Sequence, residues 1–268
     1  MKIFDSTIHS PDAAGWTLSQ LDDVISSLEV NNVTAGNVIY FLSRDNVGLE
    51  TFIQRASSSG VLGVVVCVNP LDLSELESIN QEISSDLVGL KLHPRVHSHD
   101  LSPGSVNKFF DATLDFGLPY YLCTFDDGTW GQIGIEVNDF VRLSRTYPSA
   151  DFIWAHSGGH RIMETMMAAR RLKNVFLESS FTPNYFRFGT VRMDFAYALW
   201  SYPRGRWLFG SDSPSFSQEE AIETVRQIYQ EVPELTSDSS EFFSFTWENS
   251  MRLFGKTHVF WRDYGNRH

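Results

Sequence analysis

Short apolar runs and amphipathic stretches alternate along the whole chain. The runs at 2–9, 37–42, 61–68, 88–93, 119–125, 151–157, 174–180 and 206–212 are strand candidates. Several of them, such as "VLGVVVCV", are apolar at nearly every position. That pattern marks a parallel strand covered on both faces rather than an alternating, half-exposed one. Between the runs the period lengthens. In "TLSQLDDVISSLEV" the residues Leu21, Val24, Ile25 and Leu28 fall on one helical stripe, and Thr17 with Gln20 has capping-box spacing. "SPGSVNKFFDATLDFG" opens with Ser102 before Pro103 and stops at Gly117, and "HRIMETMMAARRL" and "SQEEAIETVRQIYQ" repeat the theme. Met163, Met166 and Met167 read as core filler.

Strand followed by helix, repeated along the chain, predicts an α/β fold of the (β/α)8 TIM-barrel type. It fills residues 1–268 as one domain, with a last helix at about 240–254 and a short aromatic tail to 268. A doubly wound open sheet competes with it, but no strand ends in a G-x-G-x-x-G turn. A length of 268 residues and 42% hydrophobic content suit a globular protein with a large core. A net charge of −12 argues against nucleic acid and anionic membranes as partners, both being negative themselves. No secretory signal or membrane-spanning run is visible, so a cytoplasmic location is expected. Cys67 and Cys123 lie inside apolar runs and read as reduced thiols in strands.

The polar residues change the picture. In a barrel, chemistry occurs at the C-terminal ends of the strands. Strand one ends at His9, strand four brings Lys91 and His93, strand six ends at His156 and strand eight at Asp212. On a regular strand Asp5, Thr7 and His9 share a face. Imidazole and carboxylate together suit a divalent cation that activates water, or direct acid and base catalysis on an ester or lactone. Arg95 is poised to grip a substrate carboxylate, and Gly158 with Gly159 at a helix start offers N–H groups to an anion. Tyr185, Phe186, Arg187 and Trp130 suggest an aromatic rim, or simply packed helices. His97 and His99 read as solvated loop residues.

These stretches carry a family resemblance over nearly the whole chain. "IFDSTIH", "GLKLHPR", "DFIWAHSGG", "WLFGSDSP" and "ENSMRLFG" stand in the order of amidohydrolase-superfamily motifs. The chain resembles in particular the branch of decarboxylases, lactonases and hydrolases related to aminocarboxymuconate semialdehyde decarboxylase. The resemblance implies a divalent metal, zinc foremost, held by His9, His156 and Asp212. Thr7 stands where the first histidine of a pair belongs, and Cys123 stands at a strand-five histidine position, where an ionised thiol can ligate zinc. Lys91 is read as an inward cation that pairs with a carboxylate rather than as a carbamate bridging two metals.

Three functions follow as expectations. One is a hydrolase that attacks a small amide, ester or lactone with metal-activated water, or catalyses a related decarboxylation. Another is a metal-independent, lactonase-like hydrolase with Asp212 as general base. The third is a barrel without catalysis that serves as a binding or scaffolding subunit. For the enzyme, Asp212, His156 and His93 are the catalytic candidates, and Lys91, Arg95, Tyr185 and Arg187 the substrate contacts. The partner expected is a small carboxylic acid derivative, with a second copy of the chain possible through the outer helices. Cys123 as a nucleophile, with His156 as its base, is a further route.

Overall fold

The computed structural model describes residues 1–236, 239–258, 261–262 and 264. One parallel sheet contains β1 (Phe4–Ile8), β2 (Ala35–Phe41), β3 (Leu62–Val68), β4 (Gly89–Leu92), β5 (Tyr120–Cys123), β6 (Phe152–Ala155), β7 (Val175–Glu178) and β8 (Trp207–Leu208), paired in chain order. Backbone bonds bring β1 back to the segment after β8. The Ser6 N–H donates to the Phe209 carbonyl at 3.0 Å, and the His9 N–H donates to the Ser213 carbonyl at 2.7 Å. The result is a nearly closed barrel, the (β/α)8 architecture that the alternating pattern predicts.

The principal helices are α1 (Leu18–Val30), α2 (Leu49–Ser58), α3 (Leu73–Ser78), α4 (Pro103–Thr113), α5 (Val137–Thr146), α6 (Ile162–Ala169), α7 (Val191–Ser201), α8 (Gln218–Glu231) and α9 (Asn249–Thr257). Their starts obey local rules. Thr17 and Gln20 close the capping box of α1, Pro103 sits in the first turn of α4, and Ser217 and Glu220 close a second box on α8. The last helix is longer than the pattern suggests, since Ser239–Phe243 and a π-turn at Ser244–Glu248 lead into α9. Much of the expected aromatic tail (259–260, 263 and 265–268) lies outside the described residues.

Two apolar layers hold the fold. Between sheet and helices lie residues such as Val38, Val66, Leu90, Phe109, Phe140 and Trp154, while Ile39, Cys67, Tyr121, Ile153 and Leu208 point inside the barrel. At the N-terminal end of the strands, Phe4 meets Phe254 at 5.4 Å and Trp261 at 4.9 Å between ring centroids. Gly63 makes room for that floor, because a Cβ there would stand 2.8 Å from Trp261 Nε1. The other end of the barrel stays open.

Two sequence expectations are corrected here. The eighth strand ends at Leu208 rather than 212, and at Asp212 the backbone turns out of extended conformation with a positive φ of 62°. Asp5, Thr7 and His9 do not share a face, because the pairing of β1 with β2 slips between Asp5 and Ile8. Asp5 is held by the Ser211 N–H and hydroxyl and by Gln218 of α8. His9 is left pointing into the mouth. Of the methionines, Met166 is buried core, whereas Met167 is exposed.

Candidate active site

The open end of the barrel holds a cavity of about 180 Å³, lined by His9, Phe41, Arg44, His93, Arg95, His156 and Asp212 among others. Its walls are the strand ends, and three of the turns there are wound into the left-handed region. His156, Phe181 and Asp212 have φ of 66°, 66° and 62°, following β6, β7 and the β8 segment respectively. Such backbone costs of order 1–3 kcal/mol per residue and concentrates at functional sites. It turns the His156 and Asp212 side chains into the mouth.

Asp212 faces cations. Burial pushes its carboxyl up, but the His156 and His9 imidazoles and Lys91 outweigh this and hold it far below the usual carboxylate range. His9 Nε2 lies 3.4 Å from Asp212 Oδ1, close but poorly aligned. Oδ1 is buried and accepts no hydrogen bond. His9 also lies 3.2 Å from Lys91 Nζ. Burial and the Lys91 charge pull its pKa down to about 4, so the ring is neutral at pH 7. The expectation that Lys91 pairs with a carboxylate is therefore corrected. Lys91 is fully buried, and its hydrogen-bond partner is the His9 imidazole.

Beneath the cavity lies a second constellation. Burial pushes the Cys123 thiol up, but the charges of His93 and His156, with their hydrogen bonds to the sulfur, bring it well below its ordinary value. Arg95 Nη2 approaches Cys123 Sγ at 3.7 Å. Burial pulls His156 down, while the Cys123 and Asp212 charges more than compensate and raise it. On its other side, His156 Nδ1 meets Ser180 Oγ at 2.8 Å, and that hydroxyl donates to Glu178 Oε2 at 2.6 Å. The sulfur itself does not line the cavity.

Not every expected residue reaches the mouth. Tyr185 is an exposed member of an aromatic stack with Phe125, Phe181 and Phe186. Arg187 lines a separate groove with Asn31, Asn184 and Glu223. Neither lines the cavity. Trp130 is buried against Phe140 and is core rather than rim. Gly158 gives its N–H to Thr124 Oγ1 at 2.8 Å, so this group is not free for an anion. His99 is buried, with Nδ1 2.7 Å from the Asp100 carbonyl, and is no solvated loop residue.

Sequence reading missed Arg44 and Glu178. Arg44 stacks its guanidinium on Phe41 at 4.6 Å and lines the cavity. Glu178 left a signal, a lone acid closing the apolar run "NVFLE". Cys67 and Cys123 are free and buried.

A metal implied by the resemblance was expected at His9, Cys123, His156 and Asp212. The residues present do not fit one. Among the described residues no group of three or more His, Cys, Asp and Glu side chains is arranged to hold a metal. Thr7 Oγ1, at the position of the missing histidine, is buried without a partner and is a neutral, weakly basic oxygen. The Cys123 sulfur is taken up by His93, His156 and Arg95.

The amidohydrolase family model matches residues 50–256, well over half of the sequence. The chain belongs to the amidohydrolase family. Hydrolase-type activity is what that membership supports. Solved structures of similar fold include an uncharacterised TIM-barrel protein from Bordetella bronchiseptica, with TM-score 0.73 and 15% identity, covering 96% of this chain and 99% of that one. A Burkholderia multivorans amidohydrolase with bound zinc gives 0.69 and 14%, covering 95% and 99%. A probable 2-pyrone-4,6-dicarboxylic acid hydrolase from Acinetobacter baumannii, with citric acid bound, gives 0.65 and 16%, covering 95% and 100%. No curated protein matches the sequence.

Proposed function

We propose that this amidohydrolase-family barrel hydrolyses a small ester or lactone that carries a carboxylate, without a metal. The observation that carries the reading is Asp212 Oδ1, an ionised, buried oxygen with no hydrogen bond, in a cavity lined by arginines and histidines. A bound water is the natural occupant of that lone pair. Asp212 takes a proton from the water, and the oxygen attacks the substrate carbonyl carbon. The neighbouring environments push Asp212 down and His156 up, so the carboxylate is ionised while the imidazole holds its proton. His156 then delivers its proton to the departing alkoxide.

Arg44 and Arg95 supply the carboxylate grip. The Nε of each is buried and without a partner, and Arg95 is aligned by Asp127 at 2.8 Å. In a chain of net charge −12, a mouth lined by cations concentrates an anionic substrate there. A cavity of about 180 Å³ limits that substrate to a small molecule. His93 lines the same cavity and steadies the Cys123–His156 pair from the side.

The test is a screen of small carboxylate-bearing lactones and esters in the presence of a strong chelator. Turnover is expected in the wild type, and Asp212→Asn is expected to lower kcat by at least about 10²-fold. Turnover that needs added metal, or that survives Asp212→Asn, refutes the reading.

A further inference from the structure

We propose that Lys91 is the resident cation of this mouth, standing where a divalent metal would act and keeping such a metal out. Its catalytic sense rests on the metal-free reading above, but the exclusion itself is a separate, measurable property. Lys91 comes from the middle of β4, between Cys67 on one neighbouring strand and Tyr121 on the other. Its side chain is fully buried and points to the mouth end, where Nζ lies 3.2 Å from His9 Nε2.

An ammonium can only donate hydrogen bonds, so His9 Nε2 is the acceptor and the proton of the neutral ring sits on Nδ1. The Nε2 lone pair is the one a metal would need, because it is the His9 nitrogen facing Asp212 Oδ1 at 3.4 Å. Lys91 therefore uses the nitrogen donor of the His9–Asp212 pair and adds a fixed positive charge beside it. No salt bridge within 4.0 Å ties Lys91 to a carboxylate among the described residues.

Lys91 is then a positioning residue: it fixes the His9 tautomer and balances the Asp212 charge without touching substrate. Removing the ammonium while keeping the bulk should release the His9 Nε2 lone pair beside Asp212 Oδ1 and let the pair take up a metal with water completing its shell.

Zinc chloride is the probe, titrated calorimetrically into the full chain, with elemental analysis of protein purified without chelator. Wild type is expected to hold far less than one zinc per chain. Lys91→Met is expected to bind one zinc at least tenfold more tightly, and adding His9→Ala to that variant is expected to abolish the gain. Circular dichroism and a thermal melt establish that each variant folds, and Lys91→Gln replaces Lys91→Met if the latter does not. Stoichiometric, His9-dependent zinc in the wild type overturns the proposal. So does a folded Lys91 variant with unchanged zinc affinity, or a wild-type mass raised by a carbamate on Lys91. None of these readouts involves turnover, so failure here is distinguishable from failure of the hydrolase reading.

Discussion

Glu178 offers the sharpest test of how the mouth is supported from below. It is fully buried, and its two oxygens meet four donors. Oε1 accepts from Ser6 Oγ and the Ser180 N–H, both at 3.2 Å. Oε2 accepts from the His156 N–H at 3.2 Å and Ser180 Oγ at 2.6 Å. Glu178→Ala removes the acceptor for all four and leaves a void. A buried donor without a partner costs about 1–3 kcal/mol, but the two hydroxyls can rotate to other acceptors. The two backbone N–H groups cannot, which puts the loss at about 4 kcal/mol with the cavity included.

Glu178→Gln separates shape from charge. The backbone N–H groups of His156 and Ser180 address different oxygens, so either orientation of the amide sets its NH₂ against one of them. One donor is stranded in each case, for a loss of about 2 kcal/mol. Urea unfolding followed by circular dichroism and tryptophan fluorescence measures both variants. The order Ala worse than Gln worse than wild type is expected. A loss below about 1 kcal/mol for Glu178→Ala, or a Gln variant as stable as wild type, refutes the four-donor account.

Other outcomes follow from the same geometry. A Cβ at Gly210 would stand 1.6 Å from Glu178 Oε1. Gly210→Ala should therefore destabilise by about 3 kcal/mol, and by much less in a Glu178→Ala background, as a double-mutant cycle will read. His9 carries its pKa down from 6.5 to about 4 in the folded state. The unfolded chain therefore binds the extra proton first, and stability falls as pH drops from about 6.5 towards 4, by at most about 3 kcal/mol for this residue. Urea unfolding across that window should show a smaller loss for His9→Gln than for wild type, while His97, pulled down to about 4 by burial, and Asp5, pushed up to about 6 by burial, titrate alike in both; identical pH profiles for the two proteins refute the assignment. Arg95→Ala and Arg44→Ala should each raise KM for a carboxylate-bearing substrate about tenfold with kcat little changed, whereas equal losses in kcat would place them at the reacting atoms.

The barrel was legible because its signal is periodic and repeated. Apolar runs such as "VLGVVVCV" and "PYYLCTF" can be buried on both faces only if helices cover one side and the barrel interior the other. The mouth residues were legible for a related reason: His9, His93, His156 and Asp212 each close an apolar run. What stayed hidden depends on register and reach. The slip in β1 that parts Asp5 from His9 leaves no mark in an alternating sequence. Arg187 sits two residues beyond Tyr185, in a groove shared with α8, and only the path of the chain shows that. Arg44 comes from a loop, where side-chain direction has no period to follow. The pairing of Lys91 with His9 joins residues from opposite parts of the barrel, so no local pattern reports it.

The aromatic floor has a consequence for how the molecule is made. Phe4 leaves the ribosome well before Trp261, which packs against it, because β2 to β8 all lie between them in sequence. Until that late segment arrives, the growing barrel has an open base and an unsealed seam beside β1. A nascent chain in that state shows greasy surface for most of its synthesis, which makes it a client for holding chaperones and a target for aggregation. Slowing translation should worsen that exposure rather than relieve it, because the plug follows all eight strands in sequence.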